Sequence, residues 1–248
     1  MGESLFPVDG FEQAFDHGGV KAAFAIPTSA TSAQVLESLR AQVATAEARV
    51  RQQPFGLDPV LAQLLGESGL KPGAAYCLAA SGALLNVLLA GASAQGHWCG
   101  VVGIPTLAAE AAAAAGVNLE RLVLVPDPGE QWLAATAALA EVIPVLALRP
   151  PGRVREADAS RLAARLRDRG GVLLVVGDWP RAEARFGLSS LSWTGLGHGH
   201  GHLRSREVQV SVTSKRYPSG RAAQVLLPAA DGRLCAVETL PDRLRAVG

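Results

Sequence analysis

Residues 72–92 read PGAAYCLAASGALLNVLLAGA. The stretch has the outline of a phosphate-binding loop: a strand run (Ala75–Leu78), a small-residue turn (Ala79–Gly82) and an apolar helix beginning at Ala83. A working loop of this kind, G-x-x-x-x-G-K-[ST], uses its glycines so that backbone N–H groups can cradle phosphates. Its Lys neutralises the β/γ charge and its Ser or Thr hydroxyl holds Mg²⁺. Here Ser81 and Gly82 occupy the turn, but Ala83 stands where the Lys belongs and Leu84 where the Ser/Thr belongs. The order of elements suits a nucleotidase and the side chains do not. That mismatch moves the expected function from enzyme to binding protein.

Downstream, apolar strand runs alternate with helical patterns. Strand Trp98–Gly103 leads to helix Thr106–Ala115, strand Leu122–Val125 to helix Gly129–Glu141, and strand Ile143–Leu148 to helix Ala157–Arg169, before strand Val172–Val176. Short continuous apolar strands separated by helices predict an α/β fold: a mainly parallel sheet covered on both faces. After Trp179 the pattern changes. Residues 180–202 read as loop, rich in Gly and ending in GLGHGHGH. Glu207–Thr213, Arg221–Leu227 and Leu234–Val237 then predict antiparallel strands at the C-terminal end, with Tyr217-Pro218-Ser219-Gly220 as a hairpin turn.

Upstream, a helix is predicted from Ala33 to Gln52, with Val35, Leu36, Leu39, Val43 and Ala46 on one face. A second, shorter helix is predicted at Pro59–Leu65. Residues 1–31 read as an arm, flexible or partner-docking, that carries Phe6, Phe11 and Phe15. GESLF at 2–6 faintly resembles the peptides that dock on sliding clamps, without their leading Gln. The expected division is therefore arm 1–31, leader helix 32–56, core 57–238 and tail 239–248.

Composition fits one sizeable core: 248 residues, 49% of them hydrophobic. The net charge of +1 conceals an asymmetry. Residues 1–148 hold 6 Lys/Arg and 13 Asp/Glu, whereas residues 149–248 hold 17 and 9. A basic C-terminal half suits an acidic partner, nucleic acid or protein, or is simply a solvated surface. The 3 cysteines, Cys77, Cys99 and Cys235, have no CxxC spacing. No signal-peptide order or membrane-length apolar run is readable. The expectation is a soluble, cytoplasmic, reduced protein without a cofactor or a membrane partner.

The order of these elements resembles the RecA-like ATPase core, and more narrowly the ImuA family of RecA-related mutagenesis proteins. LDPVLAQLLGESGLKPGAAYCLAASGALLNVLL (57–89) is similar to the segment that feeds the phosphate loop in that family. AAAAAGVNLERLVLVPDP (111–128) looks like its next helix and strand, and REVQVSVTSKRYPSGRAAQVLL like its paired closing strands. The departures from the family are informative. The strand Ile143–Leu148, where the resemblance places a Mg²⁺-holding Asp, ends in Arg149-Pro150-Pro151. The strand Trp98–Gly103, where it places a water-activating Glu, is followed by Ile104-Pro105-Thr106, and Glu110 lies too far along the next helix. Asp178 ends a later strand. Without these groups the electrostatic stabilisation that phosphoryl transfer depends on is gone.

The resemblance implies an SOS-induced accessory factor for translesion DNA synthesis. Such a factor works beside an ImuB-like inactive Y-family polymerase homologue, and through it with an error-prone DnaE-class polymerase and the sliding clamp. The expected function is a non-catalytic adaptor. The alternatives are a SulA-like cell-division inhibitor, a RecA- or RadA-type DNA-dependent ATPase with an unusual site, and a free-standing DNA-binding protein.

Several side chains are candidates for contacts. Arg161, Arg165 and Arg169 fall on one helix face at spacings of four, suited to phosphates, an acidic partner or plain solvent. Lys215, Arg216 and Arg221 cluster at a hairpin tip, where contact with a nucleic-acid backbone is geometrically easy. Trp179 and Trp193, with Phe186, are interface anchors if exposed and caps on the core edge if buried. His198, His200 and His202 would share one face of an extended segment and could hold Zn²⁺ or Ni²⁺. The glycines between them remove the rigidity of a structural metal site, so no metal is expected.

Overall fold

A computed structural model of the chain describes residues 32–79, 82–196 and 201–237. The N-terminal arm with Phe6, Phe11 and Phe15, the turn residue Ser81, His198, His200 and the 239–248 tail lie outside the described residues. By internal contacts the chain divides into two units, residues 1–45 and 46–248.

The described part of the first unit belongs to α1 (Ser32–Gln52). On it Leu36, Leu39 and Val43, from the predicted apolar face, are exposed to solvent.

In the second unit a short antiparallel pair, β1 (Phe55–Gly56) and β2 (Gly69–Leu70), brackets α2 (Pro59–Leu65). Local chemistry sets the limits of α2. The Asp58 side chain accepts the Val60 N–H at 2.9 Å, Pro59 takes the first helical position, and Gly66 closes the helix at φ 73°.

There follow β3 (Ala75–Leu78), α3 (Ala83–Ala94), β4 (Cys99–Val102), α4 (Ala109–Ala115), β5 (Leu122–Val125), α5 (Trp132–Leu139), β6 (Val145–Leu148), α6 (Glu156–Arg169) and β7 (Val172–Val176). The chain ends in β8 (Ala184–Leu196), β9 (Gly201–Ser214), β10 (Arg221–Leu226) and β11 (Cys235–Ala236).

Among the described residues one 9-stranded sheet runs β11-β10-β9-β8-β3-β7-β6-β4-β5. From β8 through β3, β7, β6 and β4 to β5 every pairing is parallel; from β8 outward to β11 every pairing is antiparallel. The fold is thus mixed α/β, with a mostly parallel centre flanked by helices and antiparallel strands at the C-terminal end.

The pleat divides the core in two. Tyr76, Leu78, Val145, Ala147, Val172 and Leu174 point to one face, where Leu85, Leu88 and Leu89 of α3 pack. Cys77, Leu146, Leu148, Leu173 and Val175 point to the other, against Leu162 and Leu166 of α6. Strands sandwiched in this way must be apolar at every position, which is why AYCL, VLAL and VLLVV show no alternation.

One sequence expectation is corrected. Residues 180–202 were expected as loop, but Ala184–Leu196 is a 13-residue strand. Its first turn of pleat is core: Ala184, Arg185 and Phe186 pair with Tyr76, Cys77 and Leu78 of β3, and Phe186 is 1% exposed. Further out, β8 has only β9 beside it and the register slips between Ser190 and Ser192 and again between Thr194 and Leu196. Serines and glycines along this portion hide the strand in the sequence; beyond Ser192 the pair has no third described strand beside it, and such a ribbon needs few apolar side chains. A smaller difference concerns α4, which begins at Ala109 rather than Thr106, since Pro105 and the following turn delay it.

Candidate functional site

At the centre of the sheet β3 turns into α3 at Gly82. That residue caps the helix at φ 99° and ψ −135°, with no side-chain cap. Only glycine adopts this conformation without strain, and no atom lies within 4 Å of where its Cβ would be. The turn therefore accounts for the glycine by itself. Ala83 follows with a methyl group, and Leu84 is driven into the core at 1% exposure. Where a triphosphate site needs a cation and a metal-holding hydroxyl, this helix offers a methyl and a buried isobutyl group.

The residues that directly follow β4 and β6 include no carboxylate. β4 closes in Gly103 and Ile104, the latter 3% exposed, and the Arg149 N–H at the end of β6 donates to the Val102 carbonyl at 3.0 Å. Glu110 sits exposed in the first turn of α4. Asp178 follows β7, almost fully exposed, and pairs with Arg185 at 2.5 Å. It belongs to a separate crevice of about 620 Å³ that Arg153 and Arg185 also line. No group of three or more His, Cys, Asp or Glu able to hold a metal occurs among the described residues.

Beside Gly82 and Ala83 lies a cavity of about 520 Å³. Its walls are Ile104 and Leu107, the alanine face of α4 including Ala111, and the turn at 228–232; Asn86 from α3 also lines it. Sequence reasoning missed this cavity. The available signal was a single amide in the otherwise apolar run ALLNVLL.

The other candidates are scattered. On α6, Arg165 and Arg169 both reach Glu141, the latter through Nε at 3.0 Å and Nη2 at 2.6 Å to one oxygen, while Arg161 lies 3.9 Å from Asp158. This face is partly committed to joining α6 to the end of α5. At the β9–β10 tip the guanidinium groups of Arg216 and Arg221 lie 5.4 and 4.9 Å from the Tyr217 ring centre. Arg216 also donates to the Gly66 carbonyl at 3.2 Å and pairs with Glu67 at 3.5 Å, which ties the tip to the end of α2. Lys215 beside it is exposed. Trp179, 3% exposed, is a core residue packed with Val175 and Leu162, so the docking role considered for it falls away. Trp193 is 48% exposed on β8, with Arg206 stacked 5.5 Å from its ring centre. His202 lies on β9. No described helix is long and apolar enough to cross a membrane.

Residues 63–181 match the family model described as the MT3502 N-terminal domain. That segment contains β3 through β7 and the helices between them. The chain is also 34% identical over 155 residues to a Mycobacterium tuberculosis protein, "Uncharacterized protein Rv3395c", a match covering 62% of this chain and 75% of that protein.

Proposed function

The chain belongs to the family that carries the MT3502 N-terminal domain, and from that premise we propose that it is a non-catalytic, RecA-like accessory protein of the ImuA type. In this reading it serves a DNA-damage-induced translesion synthesis complex. Its direct partner is an ImuB-like inactive Y-family polymerase homologue, which in turn recruits the error-prone DnaE-class polymerase and the sliding clamp.

One observation carries the reading. β3 leads through Gly82 into α3, the element order of a triphosphate site, while the resemblance puts its metal-holding hydroxyl at Leu84, 1% exposed, and its cation at Ala83. Such a loop gives electrostatic stabilisation neither to bound nucleotide nor to a phosphoryl-transfer transition state. The mixed sheet, parallel in the centre and antiparallel toward β11, supports the resemblance to the RecA core. The open apolar residues Leu36, Leu39 and Val43 on α1 and Trp193 on β8 are the kind of surface a partner covers.

Co-expression with the inactive Y-family homologue from the same genome tests the proposal. A complex that survives size exclusion at 0.5 M salt (about a 4 Å screening length) supports it. Co-purification with the tubulin-like division protein instead, or DNA-stimulated ATP hydrolysis by the chain alone, would refute it.

A further inference from the structure

The crevice that Asp178 shares with Arg153 and Arg185 encloses about 620 Å³, a size that suits a small organic ligand. It lies outside the carboxyl ends of β6 and β7, between the chain at 150–154 and the chain at 176–180. Open α/β sheets characteristically receive ligands at that end of their strands. Two kinds of surface line it. Val154, Val176 and Trp179 are buried residues of the core, and Pro150 and Pro180 add rigid apolar surface. The charged lining residues are two arginines and one aspartate, a net charge of +1. Arg185 holds Asp178 through one nitrogen, Nη1, at 2.5 Å, which leaves most of its N–H donors uncommitted. Arg153 is exposed and has no hydrogen bond or ion pair among the described residues, so its guanidinium is free to turn onto an incoming group.

We propose that this crevice binds a small, mainly apolar monocarboxylic acid whose carboxylate is taken by Arg153, with the uncommitted donors of Arg185 in support. The planar fork of a guanidinium matches a carboxylate through two parallel N–H···O bonds. One negative charge balances the lining, whereas a triphosphate brings several and meets the Asp178 carboxylate with charge to spare. The valine and proline surfaces take up the body of the acid. The inference stands apart from the adaptor reading and from the loop at Gly82, because it needs only this crevice and its arginines.

Titration of the ¹⁵N-labelled full chain with benzoate tests it. The expected result is saturable shifts at the backbone amides of Gly152, Arg153, Gly177 and Asp178, half complete at about 1 mM or below. Benzamide, the same shape without the charge, should bind about tenfold more weakly or less. Arg153→Gln should weaken benzoate binding by about tenfold. Asp178→Asn removes the competing carboxylate and releases Arg185, so benzoate should bind severalfold more tightly. Both substituted residues are exposed, and signals from β4 and β10 report whether each variant is folded. If Arg153→Gln unfolds, Asp178→Asn carries the test. Half-saturation above about 1 mM, an equal response to benzamide, undiminished affinity in folded Arg153→Gln, or no gain in folded Asp178→Asn would each overturn the proposal.

Discussion

Gly103 and Arg149 meet so closely that a Cβ on the glycine would stand 2.5 Å from the arginine carbonyl oxygen. Each residue directly follows a strand, β4 and β6, and the Arg149 N–H donates back to the Val102 carbonyl at 3.0 Å. The contact closes the gap between the C-terminal ends of two neighbouring inner strands with backbone, at the place where the resemblance puts a carboxylate and its metal.

Gly103 also sits at φ 71°, so an alanine there meets both backbone strain and a collision that a rigid strand end cannot relieve. Gly103→Ala is expected to lower unfolding free energy by about 2 kcal/mol or more, read as a lower urea midpoint with unchanged slope. A neutral effect would mean that the two strand ends are not joined in this way.

The thiols should separate by burial. Cys77 and Cys99 are buried and Cys235 is exposed. Burial raises the pKa of both inner thiols, that of Cys99 to about 12. Since thiolate is the reactive form, an aromatic disulfide reagent should label one thiol of the native protein promptly and the other two only after denaturation.

Tyr76, 1% exposed, has its phenol pushed up to about 12 by burial, against the opposing effect of the Lys71 N–H that its oxygen accepts at 2.9 Å. The unfolded phenol ionises near 10.0. As pH rises past that value the unfolded chain releases this proton first, so stability should fall between about pH 10 and 12 and level off above. Two pH units correspond to roughly 3 kcal/mol. Cys99, raised in the same sense, begins to act from a lower pH. Tyr76→Phe should flatten the alkaline limb over pH 10–12; an unchanged limb would place the phenol in water.

If α1 and the outer part of β8 carry the partner, charge on their open apolar residues should weaken assembly without unfolding the core. Leu39→Glu with Val43→Glu, and separately Trp193→Ala, are expected to reduce affinity for the inactive polymerase homologue by tenfold or more, about 1.4 kcal/mol. Melting temperatures should stay close to that of the parent. Undiminished binding by both variants would direct attention to another face.

The central strands and α2 were legible because their signals are local. Val172–Val176 is apolar throughout, and Asp58, Pro59 and Gly66 punctuate Pro59–Leu65 at both ends. β8 was not legible, because most of its length is a ribbon paired only with β9 and carries serine and glycine where a core strand carries valine. That an alanine and a leucine follow Gly82 was readable directly, and the structure puts both at the start of α3. The cavity next to it was not, since its walls come from residues 82–86, 104–115 and 228–232, which only the fold brings together. The same limit applies to Arg165, Arg169 and Arg216. Their spacing suggested free cations, and their acidic partners Glu141 and Glu67 lie 24 or more positions away in the chain.

Isothermal titration of the full chain with Mg²⁺-ATP bears most directly on whether the loop at Gly82 has lost its grip on nucleotide. No saturable heat at millimolar ATP is the predicted result. Stoichiometric binding that requires Mg²⁺ and disappears with Gly82→Val would contradict it.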